Sequence, residues 1–213
     1  MHVVSIVNQK GGVGRSTLAV NLAVTAARRG LRVAIVDLDP QATVSGWWET
    51  RRGEVDPIIV LSAPATLDSG LERLAAEGCG LAVLDTRGVN GVDTLAAVRA
   101  SDFCLVPLRP SVADVRATMP TVRALTVSGA AYGLVVNQAP PRLSARLPGR
   151  PVEGPVLPAS IGARIDFQYA FAMGLGVDEY APDGKAAREM ADLWDVVRRR
   201  LAADTEERRR LTA

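Results

Sequence analysis

Lysine is nearly absent from this chain of 213 residues: Lys10 and Lys185 stand against 23 arginines. Long apolar runs are missing as well. None reaches the ~18 residues that a membrane-spanning helix needs, and the N-terminus does not read as a secretory signal. Cysteine is scarce, and neither Cys79 nor Cys104 sits in a CxxC or metal-ligand spacing. Their apolar neighbours suit buried thiols in a reducing cytoplasm rather than a disulfide. The net charge of +2 is too small to establish a nucleic-acid partner by itself. What remains is an ordinary globular composition, 48% hydrophobic and 23% charged, long enough for one domain, 1–213, with a substantial core.

Apolar runs at 3–7, 32–36, 58–61, 81–84, 103–108 and 133–136 read as strands. Helical periodicity fills the intervals around 16–29, 66–77, 91–100 and 112–128, with Gly30 placed to end the first helix. Strand–helix alternation with unbroken apolar strands predicts an α/β fold, a mostly parallel central sheet covered by helices on both faces. Polar residues collect at the strand C-terminal ends, where open α/β sheets bind ligands. Residues 139–155 hold five of the 13 prolines and read as an exposed loop. A final helix is expected over about 184–203, its stripe Met190, Leu193, Trp194, Val197 and Leu201 packing into the core, with a charged tail over 204–213. Of Trp47 and Trp48, one is expected in the core and the other at an interface. No internal repeat is visible.

Between the first strand and first helix lies NQKGGVGRST, residues 8–17. The spacing G-x-x-x-x-G-K-[ST] describes a P-loop; here the string starts on Gln9, and Arg15 stands where the loop expects lysine. Gly11, Gly12 and Gly14 let backbone N–H groups approach phosphate oxygens closely, with Val13 between them. The helix N-terminus adds positive potential. Ser16 would place its hydroxyl on Mg²⁺ and Thr17 would reach a phosphate. Two strands end in aspartate beyond the loop, at Asp37-Leu38-Asp39-Pro40 and at Asp85. A glycine turn without ligand leaves those unexplained, although an Asp-Pro turn alone is a common strand ending.

The string K-G-G-V-G-R-S-T resembles the deviant Walker A box of the ParA/MinD family of P-loop ATPases, whose first lysine is its distinguishing mark. V-D-L-D-P-Q (36–41) is similar to that family's second box and L-A-V-L-D-T (81–86) to its Walker B strand. The segment 157–190 resembles the C-terminal third of ParA-type partition proteins. The resemblance implies an ATP-dependent sandwich dimer in which Lys10 reaches the partner's phosphates, as an arginine finger does in trans. It implies that Asp37 orients the attacking water and that Asp39 and Asp85 hold Mg²⁺, largely through its waters. Asn137 and the backbone around Pro158 would lie against adenine. Arg15 departs from the pattern, as do Arg87 and Gly88, where the family has prolines. A planar guanidinium keeps the charge but not the compact ammonium, so binding should survive better than hydrolysis.

The tail beyond the last helix has Leu211 as its single large apolar residue, too little for an amphipathic membrane anchor. Cys79 and Cys104 do not flank the nucleotide loops as in nitrogenase-type iron proteins. With the glycine loop at residue 10, a long N-terminal helix-turn-helix extension is not expected. That leaves the short ParA type, which positions plasmids, chromosome regions or protein cargo over the nucleoid with a ParB-like or cargo adaptor. Non-specific duplex DNA would be met by Arg164, Arg188, Arg198, Arg199 and Arg200, and by Arg208 to Arg210 unless these are a solvated helix face. A nucleotide-locked scaffold without meaningful hydrolysis is the competing expectation.

Overall fold

The computed structural model describes residues 1–51, 56–87, 91–140 and 152–212, with the backbone alone for 92, 207–209, 211 and 212. Seven strands form one sheet: β1 (His2–Ile6), β2 (Val33–Asp37), β3 (Ile58–Leu61), β4 (Leu81–Asp85), β5 (Phe103–Leu108), β6 (Tyr132–Ala139) and β7 (Val156–Gly162). Their order is β3-β2-β4-β1-β5-β6-β7, and every pairing is parallel. The helices are α1 (Arg15–Ala27), α2 (Thr43–Thr50), α3 (Leu67–Ala76), α4 (Val92–Ala100), α5 (Val112–Ser128), α6 (Asp166–Ala172), α7 (Val177–Tyr180) and α8 (Lys185–Thr212).

The apolar strands are unbroken because both faces of the sheet are covered. Alternate residues along a strand point to opposite faces. Val4, Ile6, Ile35 and Val83 pack against α1, α2 and α8, while Val3, Ala34, Val36 and Leu84 pack against α3 and α4. A third cluster seats α5 on Cys104, Val106, Leu108 and Leu134. Helix α1 is buried from Leu18 through Ala26, because it lies between the sheet and α8. Gly30, at φ 86, ends it in a left-handed turn. The expected stripe of α8 is buried throughout, Met190 through Leu201. Cys79 and Cys104 are buried free thiols, and burial pushes the Cys104 thiol up to about 12.

Five elements depart from the sequence expectation. The charged segment after residue 203 is no separate tail: α8 runs 28 residues to Thr212, roughly 42 Å at 1.5 Å per residue. Alanine, glutamate and arginine are strong helix formers, so the charge run continues the helix. Strand β7 and helices α2, α6 and α7 were not expected at all. Trp47 is buried and Trp48 half-buried against the core, so neither side chain is fully exposed. Residues 141–151, within the expected loop, lie outside the described residues, as does Gly88.

Candidate nucleotide-binding site

Strand β1 ends at Ile6, and the chain reaches α1 through the glycine loop. The register of the sheet sets Ile6 beside Asp85, and Asp85 beside Asp37, so the loop and both aspartate strands converge on one edge. The loop is braced from elements far away in sequence. The Asn8 side-chain amide donates to Pro107 O (2.7 Å) and Thr118 Oγ1 (2.9 Å), and the Gln9 N–H donates to Thr121 Oγ1 (3.2 Å). From the end of β6, Asn137 Nδ2 donates to Val13 O (2.7 Å) and Gln138 Nε2 to Gly12 O (3.3 Å). Gly14 has φ 87, and a Cβ there would meet Asn137 Nδ2 at 2.6 Å. Only glycine satisfies both conditions. Helix α1 then begins with neither a side-chain cap nor an acidic residue in its first turn. Its orphan N–H groups therefore remain available to an anion.

Arg15 does not stretch outward. Its Nε donates to Thr86 O, and its Nη1 to Asn8 O and Lys10 O, each at 2.9 Å. The guanidinium thereby ties the end of β4 to both shoulders of the loop. Burial draws it below its ordinary basicity, partly offset by Asp85 and Asp39. Asp85 is fully buried, and neither carboxylate oxygen has a hydrogen-bond partner. Burial pushes its carboxyl up to about 7; Ser16 pulls it back in part, and the charges of Asp37, Arg15 and Asp39 add smaller opposing effects. A buried carboxyl with idle oxygens suits a cation. Beside the Ser16 hydroxyl and close to Asp39, the donor set is all oxygen, which fits hydrated Mg²⁺.

Asp37 is buried and engaged. Its Oδ1 accepts from Asp39 N (3.0 Å), and its Oδ2 accepts from Ser45 N (3.2 Å) and Ser45 Oγ (2.8 Å). Asp39 Oδ1 accepts from Gln41 N (3.0 Å), so the expected turn at Pro40 is present together with the aspartate cluster. Lys10 is half-buried, with its N–H on Asn8 Oδ1, and its charge reaches Asp114 at the start of α5. Arg87 pairs at 3.7 Å with Asp93.

A cavity of about 580 Å³ opens beside Gly14 and Thr17. Leu18, Asn137, Ile161, Phe167 and Phe171 are among its walls, and its size suits a nucleobase with its sugar. Pro158 is exposed on β7 and does not line it; Ile161, Gly162, Ala163 and Arg164 furnish that wall instead. Arg164 is no free surface cation: Nε donates to Glu189 Oε2 (2.9 Å) and Nη2 to Oε1 (2.5 Å). Arg188, Arg198, Arg199 and Arg200 are exposed on α8, but Asp192 and Asp195 interleave with them, and Arg198 lies 4.0 Å from Asp195. Among the described residues no helix is long and apolar enough to cross a membrane.

Sequence reasoning missed Asn8, Ser45, Thr86 and Gln138. The readable signal was a polar residue within two positions of the end of an apolar run, at Asn8, Thr86 and Gln138. Ser45, eight residues beyond Asp37, gave none.

Comparison with known proteins bears on the same residues. The chain is 34% identical over 143 residues to the maintenance of carboxysome distribution protein A of Gloeobacter kilaueensis, covering 66% of this chain and 65% of that protein. To the chromosome-partitioning ATPase Soj of Thermus thermophilus it is 33% identical over 155 residues, 57% of this chain and 62% of the relative. The chain thus spans under two thirds of either relative. The Mg-ADP complex of septum site-determining protein MinD from Pyrococcus horikoshii superposes with a TM-score of 0.73, covering 92% of this chain and 95% of that one. At 18% identity that likeness is one of fold. The CobQ/CobB/MinD/ParA nucleotide-binding domain pattern matches residues 4–204. That match runs from β1 into α8 and takes in the loop, both aspartate strands and the brace from β6 together, so the chain belongs to the CobQ/CobB/MinD/ParA family of nucleotide-binding domains.

Proposed function

We propose that this chain is a ParA-type ATPase of the cytoplasm that closes into a dimer around two ATP molecules. The dimer holds duplex DNA without sequence preference and positions a plasmid, a chromosome region or a protein body through an adaptor. The observation that carries the reading is the buried, partnerless Asp85 carboxylate beside a braced glycine loop. Ser16, Asp39 and Asp85 would hold Mg²⁺, which neutralises phosphate charge when bound. Gly11 to Gly14 and the first turn of α1 turn N–H groups to the phosphates, with Arg15, Ser16 and Thr17. The cavity bounded by Asn137 takes the base. Lys10 acts across the dimer, and Asp37 orients water.

Support for the cargo comes from the names of the relatives, one maintaining carboxysome distribution and one partitioning chromosomes. The DNA contact falls to Arg188, Arg198, Arg199 and Arg200. Each subunit alone offers a weak site, since acids interleave with them, and dimerisation doubles it. A second reading, a nucleotide-locked scaffold, is favoured by the three carbonyl bonds that hold Arg15.

Steady-state phosphate release with and without duplex DNA separates the two, with light scattering of wild type and Lys10→Ala in ATP alongside. A partition ATPase releases phosphate, dimerises only with Lys10, and binds DNA in ATP but not ADP. With about three arginines engaged per subunit, log affinity should fall against log salt by roughly 0.9 per phosphate contact. Equal dimerisation of Lys10→Ala removes the trans role, and DNA binding indifferent to nucleotide removes the matrix.

A further inference from the structure

Helix α2 begins without a cap of its own. The residue before it, Ala42, has φ 52 and no side chain able to accept a hydrogen bond, so the first-turn N–H groups need an outside acceptor. Asp37 supplies it: Oδ2 takes the Ser45 N–H and the Ser45 hydroxyl together, while Oδ1 takes the Asp39 N–H. A carboxylate offers about four lone-pair sites, and three are spent. The two backbone donors alone fix the orientation of the group. The hydroxyl adds a third bond and, with the Ser45 N–H, fills Oδ2.

The far end of α2 is fastened. Trp47 Nε1 donates to Leu175 O (3.2 Å), and Arg51 Nη1 to Gly174 O (3.0 Å). Arg51 also forks onto Glu179 at 2.8 and 2.7 Å, with its guanidinium 5.1 Å from the Trp47 ring centre. The helix therefore cannot swing away as a body. What can change at Asp37 is the Ser45 hydroxyl, which turns about one bond.

We infer that Ser45 is a positioning residue that brakes hydrolysis: its hydroxyl occupies Asp37 Oδ2 and withholds that oxygen from water until the rotor turns away. The inference rests on the proposed ATPase reading and adds a regulator to it. Removing the hydroxyl leaves Asp37 held by the Ser45 and Asp39 amides and frees one lone pair.

In full-length protein with MgATP, Ser45→Ala should raise kcat about three- to tenfold, the factor that one net hydrogen bond is worth. KM for ATP should not move, Ser45→Thr should restore the wild-type rate, and the gain should vanish in Asp37→Asn. Hydrogen exchange on nucleotide-free protein reads the hold itself. Asp37→Ala should speed exchange of the Ser45 amide about tenfold and leave the amides around Arg51 unchanged. A kcat unchanged or lowered in Ser45→Ala, while wild type turns over, overturns the brake and leaves the ATPase reading intact. No phosphate release from wild type and Ser45→Ala alike overturns both. Ser45 exchange indifferent to Asp37 overturns the brake whatever the rates.

Discussion

Replacing Arg15 with lysine tests what the odd residue in the glycine loop does. Three of the five guanidinium N–H groups are committed to the carbonyls of Asn8, Lys10 and Thr86, so at most two remain for a phosphate. An ammonium cannot span three carbonyls in one plane, and one of them should lose its partner. A net hydrogen bond contributes about 1 kcal/mol, so the nucleotide-free Arg15→Lys protein should be less stable by roughly that amount. For a chain of this size that lowers Tm by about 2–4 °C. The freed, compact charge then settles on the phosphates, where even ~1.4 kcal/mol of better placement gives tenfold in rate. The expected outcome is therefore opposite in sign for the two readouts: lower Tm by calorimetry, and about tenfold faster phosphate release at saturating ATP. ATP affinity should change little, because loop N–H groups, Mg²⁺ and Lys10 carry most of the charge complement. Asp37→Ala should abolish the gain. Unchanged Tm together with unchanged turnover would refute the reasoning, since the three carbonyl bonds would then neither brace the loop nor hold the guanidinium back.

Two other perturbations follow from geometry already described. Gly14→Ala forces a Cβ against Asn137 and a left-handed alanine costing about 1–2 kcal/mol; titration calorimetry should find no MgATP binding, while the chain remains folded by circular dichroism. Burial pushes Glu179 up, but its bonds to Arg51 and the Gly176 amide pull it further down, so its folded carboxyl lies below the usual glutamate range. The stability it contributes is present above the unfolded value and lost as pH falls through the folded one. Glu179→Gln should thus lower urea resistance at neutral pH and flatten its decline below about pH 4.3; an unaltered acid limb would show that the Arg51 pair does not matter.

The glycine loop, Asp85 and most of the sheet were legible because their signals are local: glycine spacing, unbroken apolar strands, a polar residue at each strand end. The stripe on α8 was legible for the same reason. Helix α2 was not, because its cap is Asp37, outside the helix, and because Gly46 and two tryptophans hide the period. Strand β7 was obscured by Pro158, which an edge strand tolerates. The bond from Arg164 to Glu189 crosses 25 residues, and no local pattern distinguishes a paired arginine from a DNA-facing one. The same holds for Arg15, whose partners are carbonyls that every residue carries.

The brace on the glycine loop also has an order in time. Residues 11–14 leave the ribosome early, yet Asn137 and Gln138, which grip Val13 and Gly12, are made more than a hundred residues later. A nascent or truncated chain ending before β6 carries the whole phosphate-binding string without the hands that shape it. On the proposed function, the shaped loop therefore waits for synthesis past β6. A nucleotide bound to such a loop reports that β6 has already docked.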